Sequence, residues 1–499
     1  MRDLYKRYIQ GDKAVIPYGV TIIESNAFGC CVGLVSVEIP NSVIRIEDFA
    51  FHGCKDLSSI EIPNSVTEIG DFAFKGCTGL TSIEIPDSVK AIGVAAFESC
   101  SALSFVEIPD SVTKIKHYTF DGCASLSSIE IPDSVSEIGC NAFRGCAGLT
   151  SIKIPDSVTN IDGNILSYCP KITSLIVSKG NEHYYSIDNC ILADAGRTLI
   201  IGCYSSIIPN TVTKIGNSAF RGCSSLTSIE IPNSVTEIGY DAFDDCISLT
   251  SIEIPDSVTE IGNNAFSGCS SLASIEIPNS VTEMGSAFID CNSLVSINIS
   301  NSVKRLYYAF FGCTGLTSIK IPNSVTEIGS SAFEGCAGLT SIKIPNSVTE
   351  IGDHAFSGCS SLASIEIPNS VTEIGYSAFS GCTSLTSIEI PDSVTKIGGS
   401  AFEGCTGLSA IEMPRSVTVI GRYTFSGCIL KALRVFVKDP EIVESLLDDT
   451  GLACSNLSLY VPVGTGYAFR QREFFKKFKD VKATGKWPYV ERKISELTE

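Results

Sequence analysis

The chain has 499 residues, of which 44% are hydrophobic and 18% charged, and this composition excludes an intrinsically disordered protein. Acidic residues outnumber Lys and Arg by 55 to 36, which gives a net charge of −19. This charge argues against binding to nucleic acid or to an anionic membrane surface, because both interactions need clustered cations. No apolar run reaches the roughly 18 residues of a membrane span, so we expect no transmembrane segment.

A repeat of 23 residues dominates the sequence, with its prolines spaced regularly from Pro17 to Pro155 and again from Pro209. Seven units fill residues 17–177, and further units fill residues 209–436. Residues 178–208 form a longer, irregular unit between them. Such a period predicts a solenoid, in which each unit buries its apolar face only by stacking on its neighbours.

The unit at residues 63–85 predicts the local structure of each coil. The alternating apolar residues of 80–85 predict a short strand that ends before Pro86, and residues 66–69 predict a second extended piece. The segment 73–77 predicts one helical or 3₁₀ turn. The side chains predicted to point inward are Val66, Ile69, Ala73, Phe74, Cys77, Leu80, Ile83 and Ile85.

The consensus Leu-x-x-Ile-x-Ile-Pro-x-Ser-Val-x-x-Ile-Gly-x-x-Ala-Phe-x-Gly-Cys resembles the BspA-like leucine-rich repeat proteins of bacteria and protozoa, over residues 17–436. The resemblance implies a right-handed leucine-rich repeat superhelix, with short parallel strands on one face and turns or short helical pieces on the other. It also implies a binding role, typically adhesion to host extracellular matrix or host cells, on a secreted or surface-attached protein.

The irregular unit at residues 178–208 contains two apolar runs around Asp194-Ala195-Gly196, which predict a β-hairpin. One interpretation is an embellished coil. The other is a protruding recognition loop that carries His183, Tyr184 and Tyr185, since aromatic residues are enriched at interface hot spots.

The segments outside the repeats are predicted to cap the open ends of the solenoid. Residues 1–16 form the N-terminal cap, residues 437–485 the C-terminal cap, and residues 486–499 a flexible tail. In the C-terminal cap, Asp439 and Pro440 predict the start of a helix that runs to about Asp449. Residues 457–461 predict one last strand, and Thr465 is a candidate cap for a second helix.

Most of the 22 cysteines occupy one column of the repeat, from Cys31 to Cys428. Stacked identical side chains project in parallel, whereas a disulfide needs converging Cβ vectors. We therefore favour small buried thiols over a disulfide ladder or a metal site, and no Cys-x-x-Cys pair with zinc spacing is present.

The sequence shows no catalytic signature. The four histidines form no nucleophile pattern with Cys or Ser, and no phosphate-binding Gly-rich loop occurs. We predict a non-enzymatic protein with no catalytic residues, no cofactor and no metal site.

The most informative exposed column lies between the last two isoleucines of each strand, and it contains mostly glutamate. We call it the glutamate column. Stacked like charges are destabilising, so the column is either a solvated sheet face or an acidic groove for a basic or extended protein. The break from Asn298 to Lys343 would divide such a groove into two zones. The candidate partner-binding residues are Glu38, Glu61, Glu84, Glu107, Glu130, Glu230, Glu253, Glu276, Glu366, Glu389 and Glu412.

These observations predict a monomeric protein-binding leucine-rich repeat protein, whose sheet face recognises a protein partner from host extracellular matrix or a host cell. They predict no nucleic-acid partner. The resemblance points to the cell surface or to secretion, but the first residues lack the apolar run of a signal peptide. An intracellular scaffold of the same fold is therefore the alternative.

Overall fold

A computed structural model describes Tyr5 and residues 7–485 of the chain. The chain forms two compact units, the first made of Met1–Val258 and Asn264–Cys269 and the second of Thr259–Asn263 and Ser270–Glu499. Each unit is a stack of coils joined by short parallel strands, and the predicted repeat solenoid is confirmed. Among the helices of the described residues, none is long and apolar enough to cross a bilayer.

Each coil contributes to two series of strands. The first series uses the apolar-alternating end of the repeat, and Pro ends each regular strand because it lacks a backbone donor. In the first unit this series comprises Lys13–Val15, Ser36–Glu38, Ser59–Ile60, Ser82–Ile83, Phe105–Val106, Ser151–Ile154, Ser174–Val177, Ser228–Glu230 and Ser251–Glu253. In the second unit it comprises Ser274–Glu276, Ser296–Asn298, Ser341–Lys343, Ser364–Glu366, Ser387–Glu389, Ala410–Met413, Ala432–Val435, Ser458–Val461 and Asp480–Ala483.

The second series follows the Pro-x-Ser-Val turn of each coil. In the first unit it comprises Ile22–Ile23, Arg45–Ile46, Glu68–Ile69, Ala91–Ile92, Lys114–Ile115, Glu137–Ile138, Asn160–Ile161, Lys214–Ile215 and Glu237–Ile238. In the second unit it comprises Glu260–Ile261, Arg305–Leu306, Glu327–Ile328, Glu350–Ile351, Glu373–Ile374, Lys396–Ile397 and Val419–Ile420.

The regular coils pair in register, so that equivalent residues of neighbouring coils lie side by side. Ile229 pairs with Ile252 in the first unit, and Ile365 pairs with Ile388 in the second. The turn between the strand series is held in the same way, because the Ser65 hydroxyl donates a hydrogen bond to the Val43 carbonyl of the preceding coil at 2.6 Å. The equivalent hydroxyls of Ser88 and Ser134 bond in the same way, whereas those of Ser234, Ser324, Ser393 and Ser416 are buried without a hydrogen-bond partner.

The third side of each coil is built from consecutive turns, and the predicted helical or 3₁₀ turn at residues 73–77 is wrong. Phe72 has φ +57°, a left-handed value that interrupts a helix. The backbone amide of Phe74 donates to Ala96 of the next coil at 2.8 Å, rather than to a carbonyl of its own coil. The Gly76 amide donates to Glu98 of the next coil in the same way, whereas the Cys77 amide donates to Phe74 of its own coil. Hydrogen bonding between coils thus interrupts the hydrogen-bond pattern of a helix.

Stacked phenylalanines form the centre of each core. In the first unit, the rings from Phe28 to Phe143 lie 5.2–5.7 Å apart between centroids and within 9° of parallel. In the second unit, the Phe356 and Phe379 rings are 5.4 Å apart. The eight side chains predicted to point inward in residues 63–85 are all buried, with at most 4% of any one exposed.

The cysteine column consists of free thiols, and most of its members are buried. Each regular thiol donates to the carbonyl of the phenylalanine that lies 26 residues earlier, as Cys359 does to Phe333 at 3.1 Å. Burial raises the pKa of Cys54 to about 12, so this thiol is neutral. The column therefore links coils by hydrogen bonds, as small buried thiols can.

The irregular unit holds the predicted hairpin. Strand Cys190–Ala193 pairs antiparallel with Thr198–Ile201, and the 3₁₀ turn Asp194–Gly196 joins them. A further antiparallel strand, Tyr185–Ile187, lies on the other side of Cys190–Ala193. Because Thr198–Ile201 also pairs parallel with Lys214–Ile215, the hairpin is continuous with the second strand series.

The terminal segments differ partly from prediction. At the N-terminal end, Ile9–Gln10 pairs antiparallel with Lys13–Val15. The predicted helix is confirmed as Pro440–Leu447, with the Asp439 side chain accepting a hydrogen bond from the Glu441 amide. The 3₁₀ helix Cys454–Asn456 precedes strand Ser458–Val461.

Two predictions about the C-terminal segment are partly right. Strand Ser458–Val461 forms, but it is not the last, because Asp480–Ala483 pairs with it in parallel. A second helix begins after Thr465, but it is only Gly466–Arg470, and the Thr465 hydroxyl donates to the Pro462 carbonyl instead of capping it. The 3₁₀ helix Glu473–Lys477 follows. The predicted tail, residues 486–499, lies outside the described residues.

Candidate functional site

The glutamate column lies on the solvent side of the first strand series. In a strand, successive side chains point to opposite faces, so the residue between two buried isoleucines must face outward. Glu253 is exposed between Ile252 and Ile254, which are 8% and 6% exposed. Ten of the eleven predicted glutamates are exposed and Glu412 is half-buried. The alternation of side chains along each strand therefore places every predicted site residue on the solvent side of the first strand series.

Several members of the column are direct neighbours across the strands. Glu230 pairs in register with Glu253 in the first unit, and Glu366 pairs with Glu389 in the second. Parallel strands lie about 4.8 Å apart, and two unit charges at that distance repel by about 1 kcal/mol in water. The stacking thus has an electrostatic cost, which dissolved salt reduces.

Ion pairs offset this cost only near the ends of the described column. Lys13 pairs with Glu38, and Arg434 pairs with Glu412 at 3.6 Å. Within the part of the chain that the structure describes, no ion pair engages the column members between them. These carboxylates therefore face solvent without an ion pair, although Lys343 lies beside Glu366 in register.

The second strand series contains more ion pairs. Several of its glutamates pair with Lys or Arg of a neighbouring coil, as in Arg45–Glu68 at 3.2 Å and Lys114–Glu137 at 2.6 Å. The Lys114 ammonium holds the pKa of Glu137 below its usual value. Neutralisation is incomplete, because Glu327, Glu350 and Glu373 stack in register in the second unit. The second series is therefore partly neutralised by its own cations, and the glutamate column is neutralised less.

The column is interrupted in both units. In the first unit, Lys153 and Ile176 replace glutamate and pair with each other in register. In the second unit, Asn298, Lys320 and Lys343 form consecutive parallel bridges. Sequence reasoning identified the break from Asn298 to Lys343 but missed Ile207, which occupies the same position of the repeat and is 69% exposed. The signal was present, because Ile207-Ile208-Pro209 lies 23 residues before Glu230-Ile231-Pro232.

The three residues of the predicted recognition loop do not act as one group. The Tyr184 hydroxyl accepts a hydrogen bond from the Ile161 amide at 2.9 Å, so this side chain fastens the irregular unit to the preceding coil. Tyr185 is 38% exposed, and His183 is exposed next to it. Only His183 and part of Tyr185 are thus open to a partner.

A polar cluster at the irregular unit was not predicted. The Tyr168 ring lies between the guanidinium groups of Arg144 and Arg221, at 5.0 and 5.8 Å from its centroid. Its hydroxyl donates to Asp245 at 2.6 Å, and Arg221 pairs with Asp244 at 3.0 Å. Burial raises the pKa of Asp244 to about 6.

This cluster joins the coils on either side of the irregular unit, where the regular repeat is interrupted. The Tyr168 amide donates to the Arg221 carbonyl at 3.1 Å, although the two residues are far apart in sequence. Asn164 also donates from its side chain to the Ser218 carbonyl at 2.7 Å. The turn side of the solenoid therefore passes directly from the coil before the irregular unit to the coil after it, and the cluster is structural.

The prediction that no histidine pairs with a cysteine is wrong, because exposed Cys30 Sγ lies 3.4 Å from His52 Nε2. No group of three or more His, Cys, Asp or Glu side chains among them is arranged to hold a metal ion. The column thiol Cys100 is a poor nucleophile, because burial raises its pKa to about 12. The exposed strand face is consequently the feature most suited to recognition.

Comparison with known proteins gives one family and several solved structures. The model of the BspA type leucine rich repeat region (6 copies) matches residues 5–127, 113–194, 202–311 and 306–432. A leucine-rich repeat protein from Bacteroides ovatus is 29% identical, with 85% of this chain and 94% of that chain covered and a TM-score of 0.46. A leucine rich cell surface protein from Faecalibacterium prausnitzii is 34% identical, with 71% and 87% covered and a TM-score of 0.49. No curated protein matches the chain.

Proposed function

Because this chain belongs to the BspA-type leucine-rich repeat family, we propose that it is a non-enzymatic protein-binding module whose partner docks on the glutamate column. The observation that supports this proposal is the contrast between the two strand series. The second series pairs several of its carboxylates with its own cations, whereas the described interior of the glutamate column forms no ion pair. A partner with Lys or Arg side chains relieves the repulsion among stacked carboxylates.

The partner is proposed to be a protein of a host cell or of the extracellular matrix. Adhesion to such proteins is the role that the sequence resemblance implies, and a long exposed strand face suits an extended ligand. The alternative is an intracellular scaffold, which the free cysteines favour because thiols persist in reducing compartments. Surface proteolysis of intact cells, followed by immunoblotting, separates the two: an adhesin is digested, whereas a scaffold is protected.

Charge reversal tests the binding face. The test variant carries Glu253→Lys and Glu389→Lys in the glutamate column. The matched control carries Glu260→Lys and Glu350→Lys in the second series, with the same change in net charge. Binding to a panel of purified matrix proteins is measured by surface plasmon resonance in about 0.15 M salt, at which screening limits long-range effects to about 8 Å.

We expect the test variant to lose at least about tenfold in affinity, since two partly desolvated charge contacts are each worth about 1 kcal/mol or more. The control should retain affinity within about twofold. Equal losses in both variants would point to nonspecific attraction. Unchanged binding in the test variant would remove the glutamate column from the proposal.

A further inference from the structure

Three exposed isoleucines of the first unit lie on adjoining segments around the irregular coil. Ile176, Ile187 and Ile207 are 46%, 45% and 69% exposed. We call these three residues the isoleucine patch. Two of them, Ile176 and Ile207, stand where neighbouring coils have Lys153 and Glu230. The patch therefore replaces charge by apolar surface within the glutamate column.

Backbone contacts bring the three residues together. The amide of Val177, next to Ile176, donates to the Ser186 hydroxyl at 2.9 Å. Ser186 precedes Ile187 on strand Tyr185–Ile187. The Ile207 amide donates to the Asp188 carbonyl at 3.0 Å, which places Ile207 beside the end of that strand. The antiparallel strand thus lies between the two column isoleucines.

The interior of the hairpin does not require these side chains. Ile191, Leu192, Leu199 and Ile201 already fill it, and each is fully buried. The patch residues remain in contact with water, where burying one aliphatic side chain gains about 1.5–3 kcal/mol. Exposed apolar side chains on adjoining segments, surrounded by polar residues, are typical of an interaction site.

The surrounding charges indicate what kind of partner fits. Along the column, Glu130 lies beyond Lys153 on one side, and Glu230 and Glu253 follow on the other. A second copy of the chain would bring these same carboxylates against each other. A protein segment with an apolar centre and basic flanks instead matches both the patch and its surroundings.

We propose that the isoleucine patch is the apolar anchor site of the docking face, and that its partner is a protein segment with one large aliphatic or aromatic side chain flanked by Lys or Arg. The inference rests on the proposed function and names the chemistry of the partner. Coils are spaced by about 4.8 Å, so Glu230 lies about 10 Å and Glu130 about 14 Å from the centre of the patch. An extended segment rises about 3.3 Å per residue, which places its basic residues three or four positions from the anchor.

Peptide selection tests this chemistry with a defined probe. A random 12-residue library displayed on phage is selected on the wild-type protein, and the enriched peptides are synthesised with a fluorophore. Their affinities are measured by fluorescence anisotropy for the wild type and for the double variant Ile176→Glu, Ile207→Glu. Both substitutions introduce the residue that the column has in other coils, so the fold should tolerate them. Ile247→Glu is the matched control, because Ile247 is 47% exposed outside the patch.

We expect enriched peptides with an aliphatic or aromatic residue and Lys or Arg three or four positions away. The double variant should weaken their binding at least about tenfold, and the control should change it less than about twofold. Enriched peptides that lack basic flanks, or that bind the double variant normally, would overturn the inference. So would a dimer in sedimentation velocity that Ile207→Glu dissociates, because the patch would then be a self-association surface.

The charge-reversal variant of the glutamate column separates this inference from the proposed function. Peptides that lose affinity on Glu253→Lys and Glu389→Lys, but not on the isoleucine substitutions, would leave the proposed face intact and remove the anchor. Peptides that are indifferent to both sets of substitutions would contradict both proposals.

Discussion

Two glycines of one coil are predicted to tolerate alanine very differently, although the sequence pattern treats both as turn residues. Gly381 has φ +72°, and an added Cβ would approach no atom more closely than 3.7 Å. Gly375 has no such backbone conformation, but its added Cβ would lie 2.5 Å from the Gly352 carbonyl carbon and 2.6 Å from the Asp353 nitrogen. The first glycine is needed for its left-handed conformation and the second for the close approach of two coils.

The magnitudes follow from these geometries. Alanine at Gly381 carries only the left-handed penalty of about 1–2 kcal/mol. Alanine at Gly375 must push one coil away from the next, since a backbone atom cannot rotate aside as a side chain does. Overpacking of that kind costs about 1–3 kcal/mol, and loss of the 2.8 Å hydrogen bond from the Gly375 amide to Ile351 adds about 1 kcal/mol. Because alanine restricts the unfolded chain equally at both sites, that contribution cancels in the comparison.

We expect Gly375→Ala to destabilise the second unit by at least about 1 kcal/mol more than Gly381→Ala. Asparagine, which tolerates left-handed backbone, should recover most of the loss at position 381 and none at position 375. Repeat arrays do not always unfold in two states, so hydrogen exchange with mass spectrometry should report the local opening of coils 345–413. Equal protection in the two alanine variants would refute the reasoning.

Three further predictions concern single side chains. Tyr423 is 60% exposed at φ +59°, so Tyr423→Asn should raise the stability by about 0.5–1 kcal/mol in urea unfolding, and a lower midpoint would contradict this. Iodoacetamide at pH 8 should label exposed Cys30 in the native protein but not Cys54. The pKa of about 12 leaves only about one Cys54 thiol in ten thousand ionised at this pH. Rapid labelling of Cys54 in the native protein would contradict this prediction. Burial raises the pKa of Asp244 from 3.8 to about 6, so the folded state binds this proton more tightly than the unfolded state, and the resulting stability is lost as pH rises through that interval. The unfolding free energy of Asp244→Asn should therefore rise relative to that of the wild type by up to about 3 kcal/mol between pH 4 and pH 7. A difference in urea midpoints that stays constant over this pH range would exclude the effect.

The regular coils could be predicted from the sequence because their contacts are copies of one another. Once Phe74 and Cys77 are assigned to the interior, in-register stacking places every equivalent residue there as well. The same logic placed the glutamates of the column on the outer face. The periodicity of the strand, rather than any property of glutamate, carried that prediction.

The remainder depends on contacts that a repeat pattern does not contain. The contact of Asn164 with Ser218 joins residues separated by more than two regular units, and no local signal marks it. The turn at residues 73–77 is not helical, because the amides of Phe74 and Gly76 bond to the next coil, and a single unit gives no information about that partner. The division into two compact units falls within regular repeats at residues 258–270, where the sequence pattern does not change.

Near-identical coils also create a problem for recognition, which the interruption of the glutamate column resolves. A basic ligand that bound only to stacked glutamates would find almost the same site one coil further along, about 4.8 Å away. Electrostatic attraction alone therefore does not fix the position of the ligand along the column. Contacts to the phosphates of DNA are similar, because they give affinity but do not distinguish one sequence from another. The isoleucine patch makes one register different from the others, because Ile176 and Ile207 occur at one place in the first unit. A ligand with an apolar side chain binds more tightly when that side chain lies on the patch. On the proposed function, specificity thus resides where the copies differ, while the identical coils supply the rigid face and the charge.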